Sequence, residues 1–147
     1  MNFTMREIEL QQTLEPTVDW IDGHLSEKIT TSLLADRAGM SRAHFCREWK
    51  ACTGAPPLVF VRHRRTLAAL SKIVRTQDKL VNIAADCGFA SHAHMTEVVR
   101  AITSLAPSDI RANWPAVEPY VRRQFCQSLG LGPAETAPPE FARWWHR

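Results

Sequence analysis

Cysteine is scarce in this chain and badly spaced for cross-linking. Cys46, Cys52, Cys87 and Cys126 contain no CxxC pair among 147 residues. A disulfide framework or a zinc knuckle is therefore not expected, and four reduced thiols in a reducing compartment are. No apolar run approaches the ~20 residues of a bilayer-spanning helix. The N-terminus, MNFTMREIELQQ, lacks the apolar stretch of a secretory signal and carries early acidic residues. The expected location is the cytoplasm, and no membrane partner is expected. A strong excess of one charge is missing too. The net charge is +3, and residues 17–114 hold 13 Lys/Arg against 9 Asp/Glu, so +4 by subtraction. Phosphate binding from so small an excess needs basic side chains gathered on one face.

What is present centres on residues 34–50, LADRAGMSRAHFCREWK. Leu33, Leu34 and Ala38 give an apolar side at helical spacing. Gly39 stands where a helix stops, because a residue without Cβ enters a left-handed turn at little cost. Met40 fills the turn, and Ser41 stands as N-cap of a second helix. On that helix Phe45 and Trp49 are four apart and make one apolar stripe, read as core packing. Arg42, Ala43, Cys46, Arg47 and Lys50 fall mostly on another face, which is basic and carries no large apolar group. Two short helices joined in this way read as a helix-turn-helix, whose second helix enters the major groove of DNA.

The pattern occurs twice. Ala84 lies 84 − 35 = 49 residues after Ala35, and Gly88 lies 88 − 39 = 49 after Gly39. Phe89 repeats Met40, and one residue, Ala90, is then inserted. Thereafter the offset is 50: Ser91 on Ser41, Met95 on Phe45, Val99 on Trp49, Pro107 on Pro57. A repeat held in register through the trailing proline is a specific signal.

LLADRAGMSRAHFCREWKACTGAPP, then Arg65 and Ala69, then IAADCGF and APSDIR, together resemble the DNA-binding domain of AraC/XylS-type transcription regulators. The resemblance covers roughly Val18 to Trp114. It implies an all-α fold: a seven-helix domain with two helix-turn-helix units joined by a long central helix, to which this chain adds a C-terminal helical tail. The expected organisation is an N-terminal extension over 1–16, the DNA-binding domain over 17–114 and the tail over 115–147. The implied function is a sequence-specific regulator that inserts two recognition helices into successive major grooves. The implied partners are double-stranded DNA and RNA polymerase, with no cofactor and no metal. Most regulators of this type also have a β-barrel sensor domain. The 17 residues before Val18 and the 147 − 114 = 33 after Trp114 are too few for one, so the chain is expected to resemble the short, stand-alone members.

Along the chain, Met5 to Leu14 reads as a short amphipathic helix with Ile8 facing Met5, interrupted by Pro16. Val18, Ile21 and Leu25 then define a further two turns. Thr30 or Thr31 caps the first helix of the first unit. Gly54 ends the first recognition helix and Pro56-Pro57 restarts the chain. From Leu58 to about Arg75 there is no Gly or Pro. Val59, Phe60, His63, Leu67, Leu70 and Ile73 mark one long amphipathic helix, roughly 27 Å at 1.5 Å per residue. In the tail, Val117, Val121, Phe125 and Leu129 recur every four residues before Gly130, the expected C-cap. That stripe must be buried, on its own chain or by self-association through the tail. PEFARWWHR reads as a last helical turn or two.

The resemblance carries base-facing roles to Ala43, Cys46 and Arg47 in the first unit, and to His92, Ala93, Thr96 and Glu97 in the second. Arg47 has most of the hydrogen-bonding capacity, because arginine binds guanine O6 and N7 bidentately. Lys50, near the helix end, suits a phosphate, as does Arg100 at the same place in the second unit. Arg42, beside the helix N-terminus, suits a phosphate or a base. Ala43 and Cys46 are small enough to touch a thymine methyl. The second unit departs from the pattern: Met95 and Val99 replace the usual aromatics, Ser104 replaces a glycine, and Glu97 stands where a base-reading arginine often stands. These departures point to a second unit that binds weakly or only positions the domain. His92 and His94 point about 200° apart on a helix and do not clasp one metal. An alternative reading of Cys46, near a helix N-terminus among arginines, is a contact sensitive to oxidation or alkylation. Some DNA-repair methyltransferases pair such a domain with a nucleophilic cysteine, but no cysteine here stands in a Pro-Cys-His-Arg context, so an enzyme is not expected. The alternative is a protein-binding adaptor with a degenerate second unit. Salt separates the two, since DNA binding falls steeply with ionic strength and an apolar contact does not.

Overall fold

The computed structural model describes residues 5–128, and all regular structure among them is helical. The elements are α1 (Met5–Gly23), α2 (Thr31–Arg37), α3 (Arg42–Thr53), α4 (Pro57–Arg75), α5 (Leu80–Asp86), α6 (His92–Thr103), α7 (Pro107–Ala112) and α8 (Glu118–Ser128). Among the described residues they divide into two compact units, 5–64 and 65–128, with the division inside α4.

In the first unit α2 packs on α3 and α1 packs on α3. The core holds Ile21, Leu34, Ala35, Phe45, Trp49 and Val61, each at most 1% exposed. Phe45 and Trp49 tilt together at 5.4 Å, and Phe60 meets Trp49 edge-on at 5.0 Å. Arg64 of α4 grips Asp22 of α1 with both arms of its guanidinium, Nε donating to Oδ1 at 2.8 Å and a terminal N–H donating to Oδ2. Burying that arginine is tolerable because the planar fork matches the carboxylate. On the surface Arg37 of α2 lies 4.4 Å over the Trp20 ring, and His24 stacks on Trp20 at 4.2 Å.

The expected break at Pro16 does not occur. α1 is one helix with Pro16 inside it. Proline removes one helical hydrogen bond, to the carbonyl four residues back. That residue, Gln12, is exposed, as is Pro16, so water can serve the orphaned oxygen. Leu14, Thr17, Ile21 and Leu25 meanwhile hold the buried side together. Val18 is only half-buried, so the stripe runs through Leu14 and Thr17 in its place. The boundary expected at residue 16 thus falls inside α1.

In the second unit α5 and α7 pack on α6, and so does α8. Ile73, Ile83, Ala84, Met95, Val99 and Ile110 are each at most 1% exposed. Arg111 of α7 donates from Nε to the Ile73 carbonyl at 2.9 Å, satisfying the end of α4. Lys72 pairs with Asp86 at 3.4 Å. The long helix expected from Leu58 is α4, and the tail helix is α8, with Val121 and Phe125 buried as expected and Cys126 beside them. Leu129, Gly130 and the expected turns of PEFARWWHR lie outside the described residues.

Candidate nucleic-acid interface

The two turns share backbone hydrogen bonds at equivalent places, although Thr30 caps α2 with its side chain and Lys79 gives α5 no such bond. In the first turn the Ala38 N–H donates to the Leu34 carbonyl at 3.1 Å and the Met40 N–H to the Ala35 carbonyl at 3.0 Å. In the second, Cys87 donates to Ile83 at 3.0 Å and Phe89 to Ala84 at 2.9 Å. Gly39 and Gly88 take the left-handed conformation these turns require, at φ 67° and 83°. Thr30 is the cap of α2, accepting from the Leu33 N–H at 3.1 Å, which resolves the choice between Thr30 and Thr31. Ser41 Oγ accepts from the His44 N–H at 3.2 Å, and Ser91 Oγ from the His94 N–H at 3.0 Å, as the capping residues of α3 and α6.

Both recognition helices end alike. Thr53 Oγ1 donates to the Trp49 carbonyl at 2.8 Å, and Thr103 Oγ1 to the Val99 carbonyl at 2.7 Å. Each hydroxyl also receives an N–H two residues on, from Ala55 at 3.4 Å and Leu105 at 3.2 Å. The repeat offset, 103 − 53 = 50, pairs these two threonines as it pairs the caps at the other end. The cap residues that follow, Gly54 and Ser104, are both left-handed, at φ 80° and 62°.

Because the caps and ends of α3 and α6 coincide, the two helices present the same faces. Ser41 to Lys50 and Ser91 to Arg100 have the same order of buried, half-buried and exposed positions, residue for residue. Phe45 and Trp49 are buried in one, Met95 and Val99 in the other. Arg42, Ala43, Arg47, Lys50, His92, Ala93, Glu97 and Arg100 are exposed; Cys46 and Thr96, at the same register, are half-buried. At 100° per residue each set of five falls within an arc of about 140°, off the buried side. The structure thus brings each sequence-expected set together on one face of its own helix. The first face carries three cations; the second carries Arg100 and the opposing Glu97.

His94 does not belong to that face. Its Nδ1 accepts from the Ala90 N–H at 3.3 Å, and its ring meets Phe89 edge-on at 5.6 Å. The inserted residue of the second turn is fastened by this side chain. His44, at the equivalent place, lies 3.6 Å from Glu48. Among the described residues no group of three or more His, Cys, Asp or Glu is placed to hold a metal ion. Burial raises the Cys87 thiol to about 11 and raises Cys126 as well, so neither is a ready nucleophile.

Two capped recognition helices, each on its own buried stripe and each with a small or polar outer face, define a double helix-turn-helix DNA-binding protein. A family model described as a helix-turn-helix domain matches residues 34–113. The chain is 28% identical over 101 residues to the regulatory protein SoxS of Salmonella typhimurium, covering 69% of this chain and 94% of SoxS. It is 28% identical over 101 residues to the transcriptional activator RhaS of Pectobacterium carotovorum subsp. carotovorum, where it spans only 36% of the relative's length. Among solved structures, the DNA-binding domain of AdpA in complex with a target DNA matches at 31% identity and TM-score 0.67, covering 73% of this chain and 96% of that one. An AraC-type regulator from Chromobacterium violaceum matches at 26% identity and TM-score 0.66. The chain belongs to the AraC/XylS-type helix-turn-helix family.

Proposed function

We propose that the protein is a sequence-specific regulator of transcription that binds double-stranded DNA through α3 and α6, and that it is not an enzyme. The observation that carries this reading is the matched exposure of the two recognition helices, with side chains able to meet bases and phosphates on the outer face of each. Arg47 reads a guanine bidentately, and Ala43 and Cys46 contact the neighbouring base edges. Lys50 and Arg100 meet phosphates, and Arg42 anchors the start of α3. His92, Ala93, Thr96 and Glu97 form the second unit's reading face. Glu97 weakens phosphate attraction there, so the first unit carries more of the sequence preference. We assign DNA binding to residues 17–114 and leave 1–16 and 115–147 as flanking segments. Selection of bound sequences from random duplexes, followed by titration in increasing salt, tests the reading. Binding that ignores both sequence and salt would favour the adaptor alternative.

The finer proposals concern cell context. We place the protein in the cytoplasm, with access to the chromosome; among the described residues no helix is long and apolar enough to cross a membrane. Activation through contact with RNA polymerase is proposed by analogy with RhaS, whose name describes an activator. Self-association through the C-terminal tail is proposed as well, by a surface other than the apolar stripe of α8, which is buried within the chain. Sizing of the full chain with and without DNA tests it.

A further inference from the structure

We propose that α8 is a working part of the second DNA-reading unit, and that Val121 and Phe125 are positioning residues for the recognition helix α6. This rests on the DNA-binding reading above and adds to it a segment that the family model does not match, since that match ends at residue 113.

Three observations converge. First, α8 packs directly on α6, with Val121 0%, Phe125 1% and Cys126 3% exposed. Second, the repeat shows what α6 lacks. Beneath α3 the two inner positions are Phe45 and Trp49, whose rings form an aromatic cluster with Phe60. Beneath α6 the same positions are Met95 and Val99, one a flexible thioether and one a small branched side chain. Two aromatic rings are missing, yet Met95 and Val99 are as fully enclosed as their counterparts, at 0% exposed. Close packing leaves no room for an unfilled gap of that size, so volume must come from elsewhere. α8 brings an aromatic ring, Phe125, to this unit. Third, the first unit uses the same device at its own end: α1, from outside the helix-turn-helix, packs on α3. Each recognition helix is thus braced from outside its helix-turn-helix, α3 by α1 and α6 by α7 and α8.

The consequence is functional. Where α6 lies decides where Thr96, Glu97 and Arg100 reach, and a displacement of about an ångström is enough to lose directed hydrogen bonds. Arg123 is exposed on α8 and serves as the control position.

The test uses the full chain on its selected site, with base-by-base protection read separately under each unit. Phe125→Leu and Val121→Ala should lower protection under the second unit about tenfold, while protection under the first unit and the cooperative melt persist. Amide exchange should quicken in α6 and stay unchanged in α3. Phe125→Met, which keeps the reach of the ring but has no more volume than leucine, should recover at most part of the second-unit protection, and Arg123→Ala should change nothing under either unit. Should Phe125→Leu lose its cooperative melt, Val121→Ala carries the comparison. Folded variants that protect both segments as the parent does would overturn the inference while leaving DNA binding intact. A parent chain that protects no duplex at all would overturn both.

Discussion

Arg47 and Glu97 occupy one register position fifty residues apart and carry opposite charges. If Arg47 grips a guanine, Arg47→Ala should lose about 1–3 kcal/mol on the best site and relax one base position, measured by binding to a panel of single-base variants. Lys50→Ala should weaken every sequence alike; a loss confined to one base would mean the two roles are reversed. Glu97→Gln should strengthen binding to all duplexes by easing repulsion from phosphates. Loss of a single cytosine-bearing site would instead make Glu97 a base reader. These faces were legible because a helical period and a repeat offset are both local. The state of His63 was not. The sequence shows it on the buried side of α4, but only the packed fold shows that it is 6% exposed. Burial, with Arg62 adding to it, lowers its pKa from 6.5 to about 4. The folded protein therefore holds His63 neutral where the unfolded chain would take up a proton. Its contribution is intact above about pH 6.5 and is lost as pH falls toward 4, by up to ~3 kcal/mol at roughly 1.4 kcal/mol per unit. Melting of the parent and of His63→Gln across pH 4–7 checks this: the variant should show the flatter profile.

The ends of the recognition helices separate what sequence rules convey from what they hide. Ser41, Ser91 and Gly54 announce themselves, because cap chemistry depends on residue type alone. Ser104 does not. It sits in the left-handed region at φ 62°, a conformation costing roughly 1–2 kcal/mol for a residue with a Cβ, and the exposed site lets it stay there. Ser104→Gly should raise stability by about 1 kcal/mol, and Gly54→Ala, forced to φ 80°, should lower it by a similar amount. Thermal melting of both variants decides. Opposite signs at equivalent positions are the expectation, and a destabilised Ser104→Gly would mean the serine side chain contributes more than its backbone strain. The break expected at Pro16 was misplaced for a related reason. A proline removes one hydrogen bond, but whether the helix stops depends on whether water can reach the orphaned carbonyl, and that is a property of the fold. The stripe of α8 showed likewise that a face is buried, not that α6 is what buries it.

At the scale of the whole chain, the tandem repeat sets the kind of DNA site to expect. Regulators with one helix-turn-helix per subunit bind as two-fold dimers, so their operators are palindromic. Here one chain carries both units, and their outer faces differ in chemistry at three of the five matched positions: Arg42 against His92, Cys46 against Thr96, Arg47 against Glu97. Two unlike readers on one chain call for two unlike half-sites. Selection from random duplexes should therefore return one asymmetric motif, with two contacted major-groove segments about 10–10.5 base pairs apart. The segment under α3 should be the better defined if Arg47 makes the guanine contact proposed for it. Salt adds a second reading. If Arg42, Lys50 and Arg100 each neutralise one phosphate, the logarithm of affinity should fall with the logarithm of salt at a slope of about −3. Lys50→Ala or Arg100→Ala should each remove about one unit of that slope, and Arg47→Ala should leave it nearly unchanged. A palindromic consensus, with protein bound two copies to a duplex, would show that symmetry comes from pairing of chains and that the two units do not share one site.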